Sequence, residues 1–224
     1  MNLKIQTITP GGVNCYLLEQ GGNFMLVDTG LASGRGVLTA ALESAGCTPG
    51  KLKLIVLTHG DLDHAGNCAF LREVYGVKIA MHEGDSGMVE NADMSWNRKP
   101  KFDRISAMGR FIIFVGALVS MSGKSKFETF RPDMYLEGGQ SLEGYGINAK
   151  ILHLPGHSAG SIGVLTENGS LICGDLIYNF FKPKFALIDD MASAKESLQK
   201  ISGPEVKLVY PGHGKPFLMD NFEA

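Results

Sequence analysis

Four apolar runs spread along this chain each lead into a loop carrying a histidine or an aspartate, so the fold has to gather distant strand ends. Leu54-Ile55-Val56-Leu57 enters Thr58-His59-Gly60-Asp61-Leu62-Asp63-His64. Ala149-Lys150-Ile151-Leu152 precedes His157, Leu171-Ile172-Cys173 precedes Asp175, and Val206-Lys207-Leu208-Val209 precedes His213. Short apolar, partly β-branched runs bounded by turn residues read as buried strands. Pro155-Gly156-His157 and Pro211-Gly212-His213 each place a sharp turn before the ring, and glycine lets the backbone pass close to whatever the ring touches. Imidazole combined with carboxylate suits zinc, iron or manganese, whereas calcium and magnesium prefer oxygen-only shells. The pattern therefore reads as a metal site assembled from four strand-end loops.

The order His59-x-Asp61-x-Asp63-His64, followed by His157, Asp175 and His213, resembles the metallo-β-lactamase superfamily over about Asn14 to Phe217. Asp28-Thr29-Gly30, after Phe24-Met25-Leu26-Val27, is similar to that family's early Asp-x-Gly turn, which lies under the metal loop. The resemblance implies an α/β fold, a four-layer αββα sandwich, here with a helical insert at about 91–131. It also implies a ligand set: one metal on His59, Asp61 and His157, a second on His64, Asp63 and His213, and Asp175 bridging the two. The family usually reads His-x-His-x-Asp-His, so Asp61 stands where a second histidine is expected. A carboxylate is similarly placed in the flavodiiron branch, which holds iron. Two divalent cations are expected, zinc first, with iron or manganese favoured more than usual by the harder donor set.

At 224 residues and 44% hydrophobic, the chain has the length and apolar content of one α/β domain. No low-complexity linker divides it, so residues 1–224 are taken as a single domain. With 21 basic and 23 acidic residues, it shows no electrostatic footprint for nucleic acid or an anionic membrane. Cys15, Cys47, Cys68 and Cys173 lie far apart without a Cys-x-x-Cys pair, and are expected as buried reduced thiols. The opening Met-Asn-Leu-Lys-Ile-Gln-Thr lacks an apolar signal core, and a cytoplasmic location is expected.

Strands are expected near residues 3–8, 13–18, 24–28, 52–58 and 77–81. Val37, Leu38, Ala41, Leu42 and Ala45 have helical spacing that Gly46 stops. Phe70, Leu71 and Val74 are placed on one face of a second helix, and a third is expected over 191–201. The insert opens with the basic, Trp-bearing stretch Ser95-Trp96-Asn97-Arg98-Lys99-Pro100-Lys101-Phe102. An uncharged run of 13 residues follows from Phe111 to Gly123, short of the roughly 20 that span a bilayer. It reads as a helix on the core, a lid over the metals, a homodimer contact or an interfacial anchor; a lid would favour substrates with an acyl arm.

The resemblance implies a dinuclear metal-dependent hydrolase using a metal-bridging hydroxide to cleave a small ester, thioester, lactone or lactam. Metal charge brings the pKa of a shared water near neutrality. Asp61 adds a carboxylate to the usual set, which predicts a less acidic water than in an Asp61→His variant. Asp63 and Tyr178 are the candidate catalytic residues. Tyr178, three positions after Asp175, is similar to the phenol of the acyl-homoserine lactonase branch, which contacts the substrate carbonyl. The loop Pro155–Ser161 is similar to that of thioesterase members such as glyoxalase II. His82 and His153 fall outside the pattern and are expected to be structural or to back up the ligands from behind. The alternative is a non-haem diiron redox protein related to the flavodiiron branch, which would need a separate flavin partner. A metal module without turnover is a third reading, and a nuclease is set aside because no basic groove is visible. Substrate choice is expected in the insert and in the loops after Gly11 and His157.

Overall fold

Strands β2 (Cys15–Gln20) and β3 (Asn23–Val27) bury both faces along most of their length. Side chains alternate across a strand, and here both sides meet apolar layers, so these strands read as continuous apolar runs. Tyr16, Leu18, Met25 and Val27 enter one core, while Cys15, Leu17, Phe24 and Leu26 enter another on the opposite face. The computed structural model describes residues 2–107, 109–110 and 127–222.

The first sheet also contains β1 (Lys4–Ile8), β4 (Leu52–Val56), β5 (Ile79–Met81) and β7 (Met134–Tyr135), in the order β1-β2-β3-β4-β5-β7. It begins as an antiparallel meander and continues in parallel from β3 onward. The second sheet has the order β13-β12-β10-β9-β8, formed by β8 (Ala149–His153), β9 (Ile162–Thr166), β10 (Ser170–Gly174), β12 (Leu208–Pro211) and β13 (Phe217–Leu218). A short antiparallel pair joins β6 (Arg104–Ile105) to β11 (Leu187–Ile188).

Three cores define four layers. Helix α1 (Arg35–Ser44) buries Leu38 and Leu42 against the outer face of the first sheet. Leu54 and Val56 meet Ile151, Ile162, Val164 and Ile172 between the sheets. On the far side, Leu165, Leu171 and Val209 pack with Ala194 and Ile201 of helix α5 (Met191–Ile201). The architecture is the expected αββα sandwich. Short helices α2 (Leu62–Ala65), α3 (Cys68–Tyr75) and α4 (Ser86–Asn91) follow β4 and β5.

The expected strands form within a few residues of their predicted bounds, and α5 forms over the predicted span. The face assigned to α3 needs correction: Cys68, Leu71 and Tyr75 are buried, whereas Val74 is exposed. The buried stripe steps from Cys68 to Leu71 to Tyr75 at spacings of three and four, and Val74 lies at its margin, turned to solvent. Phe70 instead lies half-buried under the Arg35 guanidinium, 4.2 Å from its ring centroid. The described start of the insert is not helical; it is a turn around Trp96 followed by β6. A helical turn opens at Ser106, whose carbonyl accepts from Arg110 N at 2.9 Å. The run Phe111–Gly123, with its lid, homodimer and anchor readings, lies outside the described residues. Among the described residues, no helix is long and apolar enough to cross a membrane.

Candidate metal centre

Strand β4 of the first sheet and strands β8, β10 and β12 of the second lead into loops that meet at one edge of the sandwich. His59 follows β4, Asp63 and His64 ride on α2, His157 follows β8, Asp175 follows β10 directly and His213 follows β12. These residues and Asp61 converge as three overlapping sets: His59, Asp61 and His157; Asp63, His64 and His213; and, between them, His59, His64 and Asp175.

The four metal-loop histidines are held by their Nδ1 atoms. The carbonyls of Leu187 and Gly12 accept from His157 Nδ1 (2.8 Å) and His213 Nδ1 (3.2 Å). Carbonyl oxygen only accepts, so Nδ1 carries the proton and Nε2 points into the cluster. Asp28 organises the other two. Its carboxylate accepts from His64 Nδ1 at 2.9 Å, and from the Thr58 hydroxyl at 2.7 Å. That hydroxyl in turn lies 2.9 Å from His59 Nδ1 and accepts from it. Asp28 adopts a left-handed φ of 60°, a conformation that aspartate tolerates better than most residues.

Glycine and a second buried carboxylate close the loops. A Cβ on Gly212 would overlap Asp175 Oδ1 and lie 2.7 Å from His64 Cε1, so only glycine lets this turn pass the cluster. Asn14 pins that turn by donating to the carbonyls of Pro211 (3.0 Å) and Gly214 (2.8 Å). Asp85, at the end of the β5 loop, accepts from Gly60 N, Ser158 Oγ and Gly160 N. It thereby ties the first metal loop to the His157 loop, and it carries no motif that would have singled it out in the sequence.

Several polar atoms in this cluster are buried without a hydrogen-bond partner among the described residues: Nε2 of His59, His64 and His213, and Oδ1 of Asp175. His213 Nε2 lies 3.3 Å from Asp63 Oδ2 and 3.4 Å from Asp175 Oδ2, close enough for attraction yet without a hydrogen bond to either. Buried polar groups left unpaired cost about 1–3 kcal/mol each, so converging orphan donors mark a place that a cation would satisfy. The donor set of histidine and carboxylate fits divalent zinc, iron or manganese. Burial alone would lower the His213 pKa, but the facing Asp175 and Asp63 lift it to about 10. Burial opposes ionisation of Asp175 too, and His213 and His64 hold it well below the usual carboxylate range.

The candidate catalytic residues take different positions. Asp63 is the most open of the aspartates here, with 29% of its side chain exposed, so it lies toward the accessible face. The Tyr178 hydroxyl donates to Asp175 Oδ2 at 2.5 Å, and its buried ring stacks on His213. The geometry therefore puts its O–H on the shared carboxylate. His82 and His153 stack on each other, centroids 4.2 Å apart, away from the cluster. All four cysteines are free and buried, and burial pushes Cys173 up to about 12.

Asp61 has a partner that sequence reasoning missed. Arg98 donates from Nη2 to Asp61 Oδ1 at 2.8 Å, and only 7% of its side chain is exposed. The basic stretch around Trp96 was the visible signal, but nothing in it named Asp61. Arg98 puts a positive charge beside the extra carboxylate. It offsets locally the charge that Asp61 adds to the donor set.

A sandwich of this kind, with histidines and aspartates gathered at the shared edge of its sheets, defines a metallo-hydrolase-type fold. The chain belongs to the metallo-beta-lactamase superfamily, whose family model matches residues 8–213. It is similar to the hydroxyacylglutathione hydrolase GloC of Haemophilus influenzae, 29% identical over 182 residues, covering 80% of this chain and 73% of that one. A metallo-beta-lactamase family protein from Thermus thermophilus superposes with a TM-score of 0.72 at 23% identity, covering 98% of this chain and 76% of its own. A further structure, solved in a di-iron-bound form, gives a TM-score of 0.70 at 25% identity, with 97% and 95% covered.

Proposed function

We propose that the chain is a dinuclear metal-dependent hydrolase that cleaves a small ester, thioester, lactone or lactam. The observation that carries this reading is the pair of donor sets around Asp175, with the buried, unpartnered Nε2 atoms of His59, His64 and His213. His59, Asp61 and His157 would hold one cation, Asp63, His64 and His213 the other, and Asp175 would serve both. When bound, two divalent cations supply Lewis acidity, bringing the pKa of water toward neutrality and stabilising a developing oxyanion. Asp28 and Thr58 keep His59 and His64 aimed, so little reorganisation is needed at the moment of reaction. Asp63, on the open face, is placed to accept a hydrogen bond from the attacking water. Tyr178 holds Asp175 in orientation through its short hydrogen bond.

Zinc is the first expectation, and the neighbour solved with two irons keeps iron in view. Thioesters are the first substrates to try, because a relative of this chain is a hydroxyacylglutathione hydrolase. The test is metal content by plasma mass spectrometry, followed by turnover of hydroxyacylglutathione thioesters and of lactones. About two metals per chain, with hydrolysis that drops roughly 100-fold or more in Asp63→Asn, are expected. A Tyr178→Phe variant should lose metal as well as turnover; lost turnover with full metal would instead assign the phenol to the substrate. Protein that retains no metal and turns over none of these compounds would overturn the reading.

A further inference from the structure

Position 61 is where this chain departs from the family motif. Asp61 replaces a histidine, and a carboxylate differs from an imidazole in two ways: it adds a negative charge, and it offers two oxygens instead of one nitrogen. Both differences meet Arg98. Its Nη2 occupies Asp61 Oδ1 at 2.8 Å, while Oδ2 lies 3.0 Å from His157 Nε2 and 3.5 Å from His59 Nε2. One oxygen is thus taken, and the other is turned toward the two histidines.

The arginine is delivered by a built loop. The Trp96 ring lies so close over Gly87 that a Cβ there would overlap its carbons. Asn97 adopts a left-handed φ of 53° and donates to the Gly84 carbonyl at 3.1 Å. Lys99 N donates to the buried Asp189 carboxylate at 3.1 Å. Phe102 lies under the guanidinium at 5.7 Å. Arg98 is thereby fixed between anchors on both sides, and its Nε is buried without a partner among the described residues. No imidazole at position 61 would need such a loop.

Building on the two-cation reading, we propose that Arg98 is a positioning residue that makes Asp61 a one-oxygen, charge-compensated donor, so that it stands in for the histidine of the usual motif. Acting through Asp61, Arg98 supports metal binding only while Asp61 is there. A cation acting merely by its charge would repel bound metal equally whatever residue stood at 61.

The experiment is a cycle of four proteins: wild type, Arg98→Met, Asp61→His, and the double variant. Zinc affinity is measured by chelator competition, and the ligand field by absorption of the cobalt(II)-loaded protein. In the wild-type background, Arg98→Met should weaken zinc binding about tenfold or more, as loss of a ligand's outer partner does. It should also change the cobalt spectrum as Asp61 gains its second oxygen. In the Asp61→His background the same change should strengthen zinc binding, because an unpaired buried cation is removed, and leave the cobalt spectrum unaltered. Equal effects of Arg98→Met in both backgrounds, with zinc still bound, would overturn this inference alone. No zinc in any of the four would overturn the two-cation reading with it. Should Arg98→Met not fold, Arg98→Lys is the second variant. In the wild-type background it should keep the charge yet bind zinc more weakly than arginine, and full affinity there would count against the proposal.

Discussion

At the scale of single residues, Asp28 orients two of the candidate ligands at once. One carboxylate fixes His64 directly and His59 through Thr58, and such outer partners decide which ring nitrogen is left to bind metal. Asp28→Asn keeps the size and the tolerance for positive φ, but its amide nitrogen would confront His64 Nδ1–H, donor against donor. Metal affinity should therefore fall about 10- to 100-fold, with the far-ultraviolet circular dichroism unchanged. Chelator competition measures this, and an affinity equal to wild type would show that Asp28 does not orient the ring.

At the scale of elements, helix α5 supports the His157 loop from behind. Asp190 caps it by accepting from Ala192 N at 2.9 Å and Ser193 N at 3.0 Å. Asp190 N and Asp189 N both donate to the Gly156 carbonyl, just before His157. Asp190→Ala should cost about 1 kcal/mol, read as a drop of about 2–4 °C in Tm for a chain this size. The Ser193 backbone N–H, and then Lys99, hold the Asp190 carboxyl below its ordinary value. A carboxyl lowered in the folded state stabilises fully above its unfolded pKa of about 4 and loses that stabilisation as pH falls through the lower folded value. The deficit of Asp190→Ala should accordingly be seen at pH 7 and shrink in acid. A deficit that grows toward low pH would contradict the capping role.

At the scale of the whole molecule, the candidate ligands come from both sheets, so a bound cation links the two halves of the sandwich. Ligand that binds only the folded state stabilises it by about 2.7 kcal/mol at a hundred times its Kd. Chelation should lower the melting temperature measured by calorimetry, and restored zinc should raise it again. A melting temperature indifferent to chelator would mean that these side chains hold no cation in the native protein.

The sequence by itself determined the strand-end pattern, the side chains offered as candidate metal donors and the span of α5, and its family resemblance implied the αββα layering. These are legible because burial on both faces makes strands read as apolar runs, and because Pro-Gly-His and His-x-Asp-x-Asp-His are local in the chain. The buried face of α3 was misread through Val74, since several apolar residues compete for a stripe and only packing chooses among them. Tertiary structure alone decided the outer partners. Asp85 meets Gly60, Ser158 and Gly160, Tyr178 turns to Asp175, and Arg98 reaches Asp61 across 37 positions. Such pairings have no period and no fixed spacing. They arise where loops from separate elements close over one point, and there each buried charge must find its opposite.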